Sequence, residues 1–184
     1  MCIRDRHSGP TIWETPASIW DFIFDVNCFA LVNQVTAFVP VLVRQDTPAN
    51  LLITASMGGM IGLPTSAAYA ASKAAAISLA KSLRGELATR APFLRVALLN
   101  PGVVQTNLQR TSSGLQPADI GVDPAFVEAS HDFMNTVGVR PNEVATWALD
   151  ALASGRFWVF PPSNDPFVVL LKEELSELGD AIPK

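Results

Sequence analysis

Apolar and polar positions along this chain alternate in a strand–helix–strand rhythm. After Pro16-Ala17-Ser18, the residues Trp20, Phe24, Asn27, Leu31 and Val35 recur at helical spacing, which predicts one long helix to about Arg44. The polar run Gln45-Asp46-Thr47-Pro48-Ala49-Asn50 predicts a loop. Leu51-Leu52-Ile53-Thr54 is short, apolar and partly β-branched, as a buried strand should be. A small-residue loop from Ser56 to Ser66 holds Gly58, Gly59, Gly62 and Pro64. Strong helix formers dominate from Ala67 to Thr89. Leu94 to Leu99 reads as the next strand, stopped by Pro101-Gly102. Thr106 to Asp123 is rich in Ser, Thr, Gly and Pro, which predicts a mobile loop. Helices are expected over Pro124–Asn135, Pro141–Ala153 and Pro166–Leu178, with a short strand at Phe157–Phe160. The helix from Pro141 has proline in its first turn and Gly155 just past its end.

This alternation implies an α/β fold with a parallel sheet and helices on both faces. Right-handed crossovers then bring all strand carboxyl ends to one edge, where ligands of such sheets bind. Ser56, Tyr69 and Pro101-Gly102 all fall at that edge. Composition narrows the class. The chain has 184 residues, 49% apolar and 16% charged, which excludes a disordered polyelectrolyte. The net charge of −4 provides no field for nucleic acid. Residues 1–110 hold nine Lys/Arg against six Asp/Glu, and residues 111–184 hold four against eleven, which reads as a solvated acidic surface on the second part. Cys2 and Cys28 cannot build a disulfide framework, and His7 and His131 are too few for a histidine-rich metal centre. A reducing, cytoplasmic setting fits. The longest apolar run, Phe29–Val43, is interrupted by Asn33, Gln34 and Pro40 and falls short of the roughly 20 residues a membrane span needs. Met1–Arg6 reads as a non-native processing scar, so native sequence is expected from about His7.

Tyr69 and Lys73 are four residues apart and share a helix face. A phenol, with a pKa of about 10, exchanges protons poorly at neutral pH. An ammonium one turn away is expected to lower that value and bring Tyr69 toward general acid/base work. Ser56 could hold a substrate oxygen beside the phenol. Such a pair also arises by chance, and Ser56 alone would more often be a cap or a loop hydroxyl. The pattern becomes specific only when the pieces occur together in the right elements.

They do, and in that combination the chain resembles the short-chain dehydrogenase/reductase family from His7 to about Phe160. Ile53-Thr54-Ala55-Ser56-Met57-Gly58-Gly59 is similar to the family's strand-end serine motif. Tyr69-Ala70-Ala71-Ser72-Lys73 matches its Tyr-x-x-x-Lys signature, and Pro101-Gly102-Val103-Val104-Gln105-Thr106 its Pro-Gly-x-Val-x-Thr segment. Trp20-Asp21 and Asp25-Val26-Asn27 resemble the helix of a fourth catalytic residue. The resemblance implies a Rossmann-type doubly wound sheet and hydride transfer between an alcohol or ketone and NAD or NADP. It implies catalytic roles for Asn27, Ser56, Tyr69 and Lys73: Tyr69 exchanging the proton, Lys73 binding the nicotinamide ribose, Ser56 orienting the substrate oxygen, and Asn27 with a water completing a relay through Lys73. Pro101, Gly102, Val104 and Thr106 would wrap the nicotinamide. Plainer roles exist for four of these: Asn27 could satisfy backbone at a kink, Pro101-Gly102 could end a strand, and Thr106 could cap a helix.

The family's glycine-rich dinucleotide turn and its Asn-Asn-Ala-Gly segment are absent; Gly58-Gly59-x-x-Gly62 follows the wrong strand and reads as loop flexibility near the substrate. Residues 7–184 are therefore expected to be the C-terminal two-thirds of one domain of about 250–300 residues, lacking the first strands, with 106–136 as a substrate loop region. NAD-versus-NADP preference, normally set at the second strand, is then unreadable. Met57, Gly58, Pro64, Leu108 and Met134 are expected to line an apolar substrate site. The expected partners are a small alcohol or ketone and further copies of the chain, with no nucleic acid and no membrane. Two other classes fit the sequence less well. A non-catalytic dinucleotide sensor would usually have lost Tyr or Lys. A serine hydrolase lacks a Gly-x-Ser-x-Gly elbow around Ser56 and a well-placed histidine.

Overall fold

A computed structural model describes residues 11–115 and 123–183. Met1–Arg6 and the middle of the expected substrate loop lie outside the described residues. The elements follow the predicted order: α1 (Ala17–Phe24), a π-turn (Asp25–Phe29), α2 (Ala30–Gln45), β1 (Ala49–Thr54), a 3₁₀ turn (Met57–Gly59), α3 (Ala67–Arg90), β2 (Leu94–Leu99), α4 (Leu108–Ser113), α5 (Pro124–Val137), α6 (Pro141–Ser154), β3 (Trp158–Val159) and α7 (Pro166–Ala181). Two differences from expectation matter. The first long helix contains a π-turn, and the short α4 occupies part of the stretch expected to be loop.

The three strands are parallel, in the order β1-β2-β3. β1 runs in register with β2 from Ala49↔Leu94 to Thr54↔Leu99. β2 is central, which explains its unbroken apolar sequence. Leu94, Val96 and Leu98 face a core shared with Ala76, Ile77, Ala80 and Leu83 of α3, while Ala97 and Leu99 face Val144, Ala148 and Ala151 of α6. A strand covered on both faces needs apolar residues at successive positions. Leu98 is fully buried, a burial that stabilises by roughly 1.5–3 kcal/mol.

The buried residues of α3 are Ala68, Ser72, Ala76, Ile77, Ala80, Leu83 and Leu87, a single helical stripe. Its small members let α3 approach the sheet closely. Helices α5, α6 and α7 each begin with proline in the first turn. Asp123 and Asp165 cap α5 and α7 by accepting from Ala125 N and Phe167 N. Gly155 ends α6 at φ 70, the left-handed conformation glycine adopts without penalty.

The helix containing the apolar run is longer than the run itself. Pro40 does not break α2, because losing one backbone donor leaves the flanking turns intact. The continuous helix from Ala17 to Gln45 has 29 residues and a mean hydropathy of 1.8 over its most apolar window, long and apolar enough to cross a membrane by those measures. One side of it, through Leu31, Val35, Val39, Leu42 and Val43, packs on the sheet core.

Candidate active site

The carboxyl ends of β1 and β2 are tied together. Ala55 N donates to Leu99 O at 2.8 Å, and Met57 N donates to Pro101 O at 3.0 Å. Ser56 lies between these bonds, nearly extended at φ −169, and its Oγ accepts from Gly58 N at 3.0 Å. The serine is thus a local cap as well as a candidate substrate contact, and its hydroxyl proton is free of that bond.

Gly58 and Gly59 let the serine turn press against α3. A Cβ on Gly58 would lie 3.3 Å from Tyr69 Cε1 and 3.5 Å from Ser56 Oγ, so Ser56 and Tyr69 flank one glycine. A Cβ on Gly59 would lie 2.6 Å from the Lys73 carbonyl carbon. Neither glycine has a positive φ. The expectation of loop flexibility is corrected here: these glycines serve close packing. Only Gly62 has open space around it among the three. Thr65, just ahead of α3, sits at φ 63, a costly conformation for a β-branched residue.

Tyr69 and Lys73 share the face of α3 that looks onto this turn. The Lys73 ammonium lies 5.9 Å from the Tyr69 ring centroid and donates to Thr54 O at 3.4 Å. Burial pushes the Tyr69 phenol above its ordinary value, and an approach to Ser56 works the other way. Burial pushes the Lys73 ammonium down. The expected lowering of Tyr69 by Lys73 is therefore not what this arrangement produces. Desolvation of the phenolate outweighs an ammonium that stands over the ring instead of at the hydroxyl.

Asn27 sits at the centre of the π-turn, and its Nδ2 donates to Ser72 Oγ at 3.1 Å. The plain alternative had this side chain satisfying backbone, but it bonds across to the Ser72 hydroxyl on α3. Lys73 spends its hydrogen bond on Thr54.

After β2, the loop Pro101–Thr106 is pinned to Val139: Gln105 N donates to Val139 O at 2.9 Å, and Val139 N to Val103 O at 3.0 Å. Among the described residues, Val104 N donates to no backbone carbonyl. Thr106 Oγ1 accepts from Leu108 N at 3.3 Å, a local turn just ahead of α4, whose cap position is Asn107. The Thr106 hydroxyl proton stays available. A Cβ on Gly102 would lie 2.8 Å from Asp165 Oδ2, so a side chain there would push the α7 cap carboxylate aside.

The wall of the site differs from expectation. Met57 is 1% exposed and packs with Ile61, Val168 and Leu171 under α7. It supports the serine turn and does not line a pocket. Leu108, half exposed, does face outward. His131 is buried within α5, its Nε2 paired with Asn135 Nδ2 at 2.9 Å. Sequence reasoning missed Thr54, Ser72 and Asp165 as partners of the site. The Asp-Pro pair at 165–166 signals a helix start, but nothing local places it on Gly102.

Parallel strands, helices on both faces and a Ser–Tyr–Lys group at the strand ends define a Rossmann-type α/β protein. Residues 7–115 match the short chain dehydrogenase family, and the chain belongs to it. It is similar to 1-deoxy-11-beta-hydroxypentalenate dehydrogenase of Streptomyces exfoliatus, with 34% identity over 170 residues, 92% of this chain and 55% of that protein. It superposes on a short chain dehydrogenase/reductase from Burkholderia phymatum in complex with NAD, with a TM-score of 0.81 and 25% identity over 94% of this chain and 63% of that one. A short chain dehydrogenase from Burkholderia cenocepacia J2315 in complex with NADP gives a TM-score of 0.64 at 22% identity, over 94% and 60% of the two chains. The chain spans about half the length of the curated relatives it matches.

Proposed function

We propose that the whole protein is an NAD- or NADP-dependent oxidoreductase that interconverts an alcohol and a carbonyl, with Tyr69 as general acid/base. The observation that carries this is the convergence of Ser56, Tyr69 and Lys73 on one glycine turn at the carboxyl edge of β1. The relatives named for dehydrogenase activity, and the solved structures holding NAD and NADP, support the same class.

The residues present suit the nicotinamide end of such a cofactor. Among the described residues, Val104 N donates to no backbone carbonyl and the Thr106 hydroxyl proton is unspent, and Lys73 can turn from Thr54 toward ribose hydroxyls. Pro101 and Gly102 shape the floor, with Gly102 clearing Asp165. The cofactor supplies the hydride chemistry when bound. In oxidation, the Tyr69 phenolate takes the hydroxyl proton of an alcohol held by Ser56. In reduction, the neutral phenol gives that proton to the carbonyl oxygen. The ligand-free burial that favours the neutral phenol suits it to donate. Ribose hydroxyls drawing Lys73 toward the phenol oxygen would lower its pKa and serve the reverse step. Asn27 completes the group from the π-turn, by the relay through a water and Lys73.

The test is Tyr69→Phe in the whole protein. Turnover should fall by about 10²–10⁴-fold while cofactor affinity holds. Unchanged turnover would overturn the mechanism. The substrate class is a hydrophobic secondary alcohol or ketone, consistent with the exposed Leu108 beside the loop. We place the protein in the cytoplasm, with Cys28 reduced. Recovery of the native protein in a membrane pellet would overturn that placement and point to the Ala17–Gln45 helix.

A further inference from the structure

We propose that Ser72 is a positioning residue that couples the π-turn carrying Asn27 to the helical turn carrying Tyr69 and Lys73. The proposal rests on the catalytic reading of Tyr69 given above. Ser72 lies between the two site residues in sequence, yet it points away from them. It is 0% exposed, on the inner stripe of α3. Its Oγ donates to Tyr69 O at 2.8 Å and accepts from Asn27 Nδ2 at 3.1 Å.

Chemistry fixes the direction of both bonds. A carbonyl can only accept, and an amide NH₂ can only donate. A hydroxyl is the small group that can receive one and give to the other at once. Bonds linked in this way polarise and strengthen each other in a buried setting. A serine inside a helix ordinarily bonds back to the preceding turn and does no more. Here the same oxygen also reaches a residue 45 positions away in sequence.

The partner matters as much as the bond. A π-turn is rare inside an α-helix and persists where surrounding contacts hold it. Asn27 is at its middle, and its amide is fixed to α3 through Ser72. The first turn of α3 bears Tyr69, which must meet a reacting oxygen within a narrow geometry. A displacement of about 1 Å at such a group can cost on the order of 10²-fold in rate. Losing Oγ removes the side-chain bond to the Tyr69 carbonyl and the partner of the Asn27 amide together.

The experiment is a double-mutant cycle in the whole protein with Ser72→Ala, Asn27→Ala and both together. Acetophenone serves as ketone probe, with NADH and NADPH both supplied. The expected result for Ser72→Ala is a fall in kcat of about tenfold or more, with the acetophenone KM within about twofold, as loss of positioning predicts. The double variant should be no slower than the slower single variant, because both remove one linkage. Additive losses would show that Asn27 acts without Ser72 and would overturn the proposal. A second readout needs no substrate: the tyrosinate absorbance step of Tyr69, taken as the difference from Tyr69→Phe, should move down toward the ordinary phenol range in Ser72→Ala. An altered unfolding midpoint with kcat and this step unchanged would mean a merely structural serine, and would overturn the proposal. Ser72→Cys, close in size but a weak donor and acceptor, should show the same fall in kcat if the alanine variant does not fold. Full turnover in Tyr69→Phe would overturn the catalytic reading itself. Full turnover in Ser72→Ala with none in Tyr69→Phe would overturn only the positioning role.

Discussion

Lys73 carries its charge where the fold disfavours it. Its ammonium is half-buried, its hydrogen bond to Thr54 O is long at 3.4 Å, and among the described residues no carboxylate pairs with it. Such a residue serves function at the expense of stability. Lys73→Met keeps the apolar stem and removes the charge. The whole protein should then unfold at an equal or higher temperature while turnover drops by about 10²-fold or more; a lower midpoint would refute this account. The pH sign follows from the lowered value. The stability Lys73 withholds at neutral pH returns as pH rises from its folded value toward the ordinary lysine value of about 10.4, and Lys73→Met should lose that rise. Tyr69 works in the opposite sense. Its raised value means full stability below the ordinary phenol value of about 10, lost as pH climbs through the folded value. Tyr69 is the sole tyrosine of this chain. Its tyrosinate absorbance step in the ligand-free state should therefore lie above about 10; a step below that would show that Lys73 outweighs burial.

At the scale of elements, the site depends on how closely the serine turn meets α3. Gly59 is the contact point. A methyl group there would lie 2.6 Å from the Lys73 carbonyl carbon and 2.8 Å from Ala74 N, and helix backbone cannot yield as a side-chain tip can. Gly59→Ala should destabilise by about 1–3 kcal/mol and shift the turn that holds Ser56. Gly62→Ala, with nothing within 4 Å, should stay within about 0.5 kcal/mol. Denaturant midpoints of the two variants measure the contrast, and equal midpoints would sink it. The small residues Ala76 and Ala80 on the buried stripe likewise keep α3 close to the sheet core.

Across the whole molecule, apolar surface is left uncovered along one side. Val26, Phe29, Phe38 and Val41 of the first helices are exposed, as is Leu52 on β1, whose outer edge has no strand partner among the described residues. An exposed strand edge beside apolar side chains promotes association. We expect the 184-residue chain alone to self-associate, and the whole protein to form a homo-oligomer through α2 and α3. Light scattering reads both; a monodisperse monomer of the isolated chain, or a monomeric whole protein, would contradict the respective expectation. Much of this architecture was legible in the sequence. β2 ran from Leu94 to Leu99 as expected, because a strand buried on both faces must be apolar throughout. Helix starts at Pro141 and Pro166 were marked by proline, whose ring suits only the first turn. Ser56, Tyr69 and Lys73 could be placed at one sheet edge, because strand direction and helical spacing are local rules. Other features were settled only by tertiary structure. The π-turn keeps an ordinary helical pattern, α4 has no apolar stripe to announce it, and Met57 became core because α7 folds over it. The direction of the Tyr69 shift, the need for Gly59 and the bond from Asn27 to Ser72 likewise depend on neighbours distant in sequence. Local sequence determines which groups an element carries and how they are spaced along it. Desolvation, steric clearance and hydrogen bonding between elements are properties of the packed chain, so only the fold could decide them.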